Sequence, residues 1–253
     1  MIRVGACQTP EIIGSVDDAL ACIRRLAALA ATDDVDLVLF PECFLQGYLV
    51  ERAHVEGSAM GLDSPEFAEV LRRLRDVSPT LVFGIIERDR QRILNTAVVV
   101  REGELLGAYR KTHLTAGESL FDAGREYPTF DLRGVRFGIN ICHDANFSEP
   151  ANRVAAGGAD VLLLPAQNMM RRSNAELWKD EHSVVRARRA RETGMWLVSS
   201  DVTGARDAER VGWGPTSVIN PRGEVVAQVP QMEVGLVTAD VPARPFREHV
   251  VAR

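Results

Sequence analysis

A carboxylate, an ammonium and a thiol each stand directly behind an apolar stretch of this chain. Glu42 follows Val35-Asp36-Leu37-Val38-Leu39-Phe40-Pro41, Lys111 follows Leu105–Arg110, and Cys142 follows Gly134-Val135-Arg136-Phe137-Gly138-Ile139-Asn140-Ile141. A thiol where a buried strand breaks into a polar turn is held rigidly, and the backbone N–H groups after it can receive developing negative charge. A desolvated carboxylate beside it can take its proton, and an ammonium can offset that carboxylate and steady an oxyanion. Each residue also has a plainer reading. A cysteine is commonly a small core hydrophobe, and a glutamate with a lysine is commonly a salt bridge.

The basic residues sharpen the choice. Of 30 lysines and arginines only Lys111 and Lys179 are lysine. In such a background a lysine marks a place where a compact ammonium is wanted and a wide guanidinium does not fit. Lys179 falls in a polar helical stretch and reads as a solvated charge. His113 and His143 flank Lys111 and Cys142, which raises a cysteine–histidine dyad as an alternative, though that would leave Glu42 and Lys111 without a task. His54, His182 and His249 have no ligand-like spacing, and the four cysteines (Cys7, Cys22, Cys43, Cys142) show no C-x-x-C pair, so neither a metal site nor a disulfide framework is expected.

The elements that position these residues follow from periodicity. Strands are expected at 2–7, 35–40, 81–87, 135–142, 160–164, 195–199 and 234–240. Hairpins are expected at 94–100/105–110 and at 216–220/224–229. Ser15 is the expected cap of a helix over 16–31, and Ser64-Pro65 opens another. Ser148 is the expected cap of a helix reaching Gly157-Gly158. Ser173-Asn174-Ala175-Glu176 has capping-box spacing for a helix running to about Thr193. Arg186, Arg188, Arg189 and Arg191 on that helix read as solvated or paired surface charges. The tail from Pro242 lacks a core pattern and reads as loose or docked on a partner. Alternating strands and helices without repeats or linkers make one mixed α/β domain over 1–253 the economical reading.

Composition is that of a globular protein, 46% hydrophobic and 26% charged, with a formal net charge of −5 that disfavours nucleic-acid and anionic-membrane partners. No apolar run has the length of a membrane span, and the N-terminus enters a strand pattern at once, so the cytoplasm is the expected compartment.

Phe40-Pro41-Glu42, Arg110-Lys111-Thr112-His113-Leu114 and Gly138-Ile139-Asn140-Ile141-Cys142-His143-Asp144, in this order and spacing, resemble the nitrilase (carbon–nitrogen hydrolase) superfamily. The resemblance extends through Gly47-Tyr48, through Glu118, Phe121 and Gly124, through Phe147 and Glu149, and through Arg189-Ala190-Arg191-Glu192-Thr193. It implies a four-layer αββα sandwich that assembles as a homodimer or higher oligomer, works on a small molecule and needs no metal or cofactor. It further implies Cys142 as nucleophile, Glu42 as general base, Lys111 with the His143 N–H at the oxyanion, and Glu118 as a second glutamate positioning substrate nitrogen. Substrate-binding groups are expected from Tyr48, His143, Asn146 and Asn168 and from the 170–182 stretch. Nitrile-cleaving members tend to carry tryptophan-glutamate-asparagine after the cysteine, where this chain has His143-Asp144-Ala145-Asn146. Members that hydrolyse N-carbamoyl-D-amino acids carry arginines there, where Ala145 and Asn146 offer none. A small linear amide is therefore the expected substrate, with a carbamoyl amine or nitrile as the alternative and a non-enzymatic binding protein the remaining one.

Overall fold

The computed structural model describes residues 1–243. In chain order its elements are β1 (Ile2–Pro10), α1 (Val16–Thr32), β2 (Leu37–Leu39), α2 (Arg52–Ser58), α3 (Pro65–Leu74), β3 (Thr80–Asp89), β4 (Arg92–Arg101), β5 (Glu104–Arg110), β6 (Thr129–Leu132) and β7 (Val135–Ile139). There follow α4 (Ser148–Ala156), β8 (Val161–Pro165), β9 (Met170–Arg171), α5 (Arg172–Thr193), β10 (Trp196–Ala205), β11 (Arg210–Trp213), β12 (Ser217–Ile219), β13 (Val225–Gln228) and β14 (Gly235–Val241).

Strand pairing builds two sheets. One runs β5-β4-β3-β2-β1-β14 and the other β6-β7-β8-β10-β12-β13. β10 joins them: its first half pairs with β8 and β12, and Asp201–Thr203 then pairs with Gln8–Pro10 of β1. The period-two alternation of side chains sorts the core into layers. Leu37 and Leu39 face the second sheet, where Phe137, Ile139, Leu163 and Val198 meet them. Val38 points the other way, into a layer with Leu20 and Ile23 of α1 and Phe67 and Val70 of α3. On the far side Ala151 and Val154 of α4 and Ala187 and Ala190 of α5 cover Leu162, Leu164 and Leu197. The result is the αββα sandwich.

This topology also gathers the three strand ends. β3 lies parallel to β2, and two antiparallel steps through β4 bring β5 back to the same direction. β7, β8, β10, β1 and β2 are parallel neighbours in succession. Residues following β2, β5 and β7 therefore leave their sheets at one common edge, where α/β sheets form their binding crevices.

Helix starts differ from expectation in two places. Ser148 is the first residue of α4, with Phe147 at the cap position and no side-chain cap bond, because the preceding 3-10 turn Cys142–Asn146 runs almost directly into the helix. α5 begins at Arg172, one residue before the expected capping box. Its entry is held by the short β9–β11 pairing and by the Arg172 N–H donating to Glu209 O at 2.8 Å, which satisfies one of the free N–H groups of the first turn. The strand expected over 135–142 ends at Ile139. α1 and α3 start where expected, with Ser15 accepting from the Asp18 N–H and Ser64 from the Phe67 N–H. α2 escaped the periodicity reading because it buries only Val55. Of the tail expected to be loose or docked, residues 244–253 lie outside the described residues. No helix among the described residues is long and apolar enough to cross a membrane.

Candidate active site

Glu42 leaves β2 through Pro41 into a loop packed against β3. Gly84 makes that approach possible, since a Cβ there would stand 2.1 Å from the Cys43 N and 2.7 Å from the Glu42 Cα. Lys111 follows β5 and is tied back to β4 by its N–H donating to Asn95 O at 2.9 Å. Cys142 opens the 3-10 turn with φ +43°, a left-handed conformation that a non-glycine residue adopts at a cost of about 1–2 kcal/mol. That sharp turn leaves Cys142 partly buried at the sheet edge, packed on the inter-sheet core and lining the cleft.

Glu42, Lys111 and Glu118 are between 1% and 2% exposed and lie in hydrogen-bond contact. The Lys111 ammonium donates to Glu42 Oε1 at 2.7 Å and to Glu118 Oε1 at 3.0 Å. Asn95 Nδ2 donates to the same two oxygens, at 2.7 and 2.8 Å, and closes a four-group ring. Both contacts to Glu42 fall on Oε1 and leave Oε2 uncommitted by either. Glu118 Oε2 accepts from the Thr115 N–H at 2.7 Å.

The electrostatics divide the two carboxylates. Burial pushes Glu42 above the usual carboxylate range, with Glu118 adding to it and Lys111 opposing. Burial acts the same way on Glu118, but Lys111 and the N–H donors outweigh it and hold that group below the usual range. Burial alone would lower Lys111, yet Glu42, Cys142 and Glu118 keep it well above an ordinary lysine, so it stays an ammonium. Burial and Glu42 push the Cys142 thiol up, and Lys111 opposes them. At rest the site is therefore a thiol facing a carboxylate of raised basicity, an arrangement in which the proton moves as the sulfur attacks.

These groups open onto a cleft of about 340 Å³ whose lining includes Glu42, Tyr48, Lys111, Cys142, His143, Asn146 and Asn168. Seven of the eight residues expected at the site thus share one cavity. Glu118 stands behind Lys111. The side-chain partner of Cys142 Sγ is Asn168 Oδ1 at 3.7 Å, a weak contact, and neither neighbouring histidine bonds to it. His143 Nδ1 meets Asn146 Nδ2 at 2.9 Å, and His113 stacks on Phe147 with ring centroids 4.2 Å apart. Among the described residues no group of three His, Cys, Asp or Glu side chains is placed to hold a metal ion.

Three supporting residues had no assigned role in the sequence. Asn95 sits mid-strand in an apolar run, a buried polar side chain whose partners come from two other segments. Asp144 is fully buried and clamps the lysine loop to the cysteine turn. Its Oδ2 accepts from the Ile141 N–H and the Tyr109 hydroxyl, both at 2.8 Å, and its Oδ1 from the Thr112 hydroxyl at 3.0 Å and the His113 N–H at 2.8 Å. Asp144→Ala should leave these donors stranded and cost about 3 kcal/mol or more of stability. Urea unfolding measures it, and a loss below ~1 kcal/mol would show the clamp to be dispensable.

The third is Asp201, and with it comes a correction. Arg186 is not a surface charge: it is 3% exposed and pairs with Asp201 Oδ2 at 3.0 Å. It also donates to Ser199 Oγ at 3.1 Å and to Pro215 O. Asp201 Oδ1 accepts from the Asn168 N–H at 2.9 Å and Oδ2 from Asn168 Nδ2 at 2.5 Å. Asp201 accepts only, so the Asn168 amide nitrogen must face it and the carbonyl must face Cys142. Arg189 is also buried, on the α5 face against the second sheet, with Glu192 as its ion-pair partner at 3.1 Å. Arg188 and Arg191 are exposed as expected. Lys179 pairs with Glu176 at 3.0 Å and lies over the Trp213 ring, 5.5 Å from its centroid.

A family model described as carbon-nitrogen hydrolase matches residues 3–248. The chain belongs to the carbon-nitrogen hydrolase family. Relatives of this hydrolase include an (R)-stereoselective amidase of Pseudomonas sp., 31% identical over 220 residues that make up 86% of this chain and 78% of that protein. A nitrilase of Pyrococcus abyssi is 29% identical over 95% of this chain and 90% of its own. Among solved structures, an amidase from Nesterenkonia sp. whose active-site cysteine has undergone Michael addition of acrylamide superposes with a TM-score of 0.82. It is 25% identical, and the match covers 96% of this chain and 94% of that one. The fold and the cysteine-dependent hydrolase class expected from the motifs agree with these findings.

Proposed function

We propose that this carbon-nitrogen hydrolase is an amidase that cleaves a small linear amide to a carboxylate and ammonia through a thioester on Cys142. One observation carries the reading: Glu42 and Lys111, backed by the buried Glu118, line the same cleft as a cysteine presented by a strained turn. Cys142 Sγ attacks the carbonyl carbon while Glu42 accepts the thiol proton. The carbonyl electron pair moves onto oxygen, which Lys111 and the His143 N–H stabilise. As the pair returns, the C–N bond breaks and the proton held on Glu42 goes to the departing nitrogen. Glu42 then takes a proton from water, the hydroxide attacks the thioester, and the sulfur leaves and recovers that proton. Glu118, held anionic by Lys111 and the Thr115 N–H, orients Lys111 and the substrate nitrogen. Tyr48, His143, Asn146 and Asn168 bind the substrate around that point. Residues 1–253 act as one domain of a homo-oligomeric cytoplasmic enzyme that uses no cofactor.

An ammonia-release screen across amides, ureides and nitriles, with mass spectrometry of the intact protein, tests this reading. The expected result is turnover of amides with an acyl adduct on Cys142. Turnover confined to ureides or nitriles would move the enzyme to the carbamoyl or nitrile branch, and no adduct on Cys142 would remove the mechanism. Iodoacetamide should alkylate Cys142 ahead of Cys7, Cys22 and Cys43. The selectivity arises from access to the cleft and from Glu42 as proton acceptor rather than from a standing thiolate, since the other three thiols are buried. Equal labelling of all four, read by peptide mass spectrometry, would contradict it.

A further inference from the structure

We propose that the acyl side of this cleft favours uncharged chains, such as a short branched aliphatic or a phenyl group, over anionic ones, and that Asp201 enforces this by neutralising Arg186. The inference rests on the amidase reading above and specifies its substrate. Away from the reacting groups, α5 presents Trp178, His182, Val185 and Arg186 to the cleft, a stripe at helical spacing, with Ala145 and Met170 beside it. The Trp178 and His182 rings lie 5.3 Å apart and form an aromatic wall.

A carboxylate on the acyl chain would need a free cation, and the cleft offers none among its described lining residues. Lys111 is shared between Glu42 and Glu118, and Arg186 is committed to Asp201. Three carboxylates stand against two cations, so the surroundings are net anionic. Burial and Arg186 lower His182 to about 3, and burial and Lys111 lower His143, so neither ring supplies charge at neutral pH. Lys179 stands beside the cleft, in a small adjoining hollow with Asn168, Met170 and His182, and there it is paired with Glu176 and held over the Trp213 ring. A carboxylate entering here would be desolvated without a partner, whereas an apolar group of the same shape gains contact with Met170, Trp178 and Val185.

Isocaproamide and succinamate form a matched pair, differing by an isopropyl group in place of a carboxylate. Each is assayed for kcat/KM by ammonia release and for its ability to protect Cys142 from iodoacetamide. Wild-type enzyme should prefer isocaproamide by at least about 100-fold in kcat/KM. Asp201→Asn leaves Arg186 without its counter-charge and should shrink that ratio at least about tenfold, with succinamate gaining protection of Cys142. Should that variant fail to fold, Trp178→Lys places a cation on the same wall from a part-exposed position and should shift the ratio in the same direction. Comparable handling of the two amides by wild type, or a ratio unmoved in the folded variants, overturns the inference. If neither amide releases ammonia, the protection assay still decides: preferential protection by isocaproamide upholds the apolar pocket while the amidase reading falls, and equal protection sinks the pocket as well.

Discussion

Cys142→Ala abolishes ammonia release, an expected loss of about a millionfold in kcat, the scale on which a hydrolase with an intact binding site loses its nucleophile. The fold should hardly notice. Among the described residues the thiol's side-chain hydrogen-bond partner is Asn168, at a weak 3.7 Å, its packing on the inter-sheet core is only partial, and alanine adopts φ +43° at the same cost as cysteine. The melting temperature should therefore stay within a few degrees of wild type, about 1 kcal/mol or less in stability. Pairing the assay with a thermal melt separates lost chemistry from lost structure. Residual turnover above about one thousandth of wild type, in protein free of contaminating enzyme, would mean that Cys142 is not the nucleophile.

Lys111→Arg keeps the charge and should still lose at least about a hundredfold in kcat, the scale set by removing one oxyanion donor. The ammonium is 1% exposed and touches Glu42 at 2.7 Å and Glu118 at 3.0 Å, so there is no room for a planar guanidinium to keep both contacts and face the cleft. Near-wild-type turnover of the arginine variant would reduce Lys111 to a structural ion pair. Lys111→Met separates charge from shape. Lys111, with a smaller contribution from Asn95, draws Glu42 down against burial and Glu118, so its removal sends Glu42 higher still. The base must be deprotonated to act, and the acid limb of the kcat/KM profile should therefore move to higher pH in the methionine variant and stay close to its wild-type position in the arginine variant. An unmoved acid limb in Lys111→Met would show that Glu42 is not the group that titrates there.

The sequence located more of the chemistry than of its supports. Glu42, Lys111 and Cys142 were legible because each ends an apolar run, and strand ends on one sheet edge are where side chains of an α/β fold converge. Most strands were legible for a related reason: buried strands must be apolar, and their interruptions by Pro41, Gly103 and Gly223 are local events. The capping serines of α1 and α3 were correct because nothing precedes those helices except loop. The serines at 148 and 173 misled because a 3-10 turn and a strand pair, both set by distant residues, already held those helix starts.

Arg186 shows where local pattern stops. Four arginines in six residues read as a solvated face, and two of them are solvated. Arg186 is buried because Asp201, 15 residues later on β10, supplies the counter-charge without which a guanidinium could not leave water. Asn95 and Asp144 are the same case. Each is a polar residue in or beside an apolar segment, and its partners lie on strands and loops that only the assembled sandwich brings within 3 Å. By itself the sequence determined which groups can do the chemistry and the strands that end at them, because residue type and apolar periodicity are local properties. Only the tertiary structure decided how those groups are charged and held, since desolvation and hydrogen bonding depend on distances between segments far apart in the chain. The ring of Glu42, Asn95, Lys111 and Glu118 beside Cys142 is the product of both.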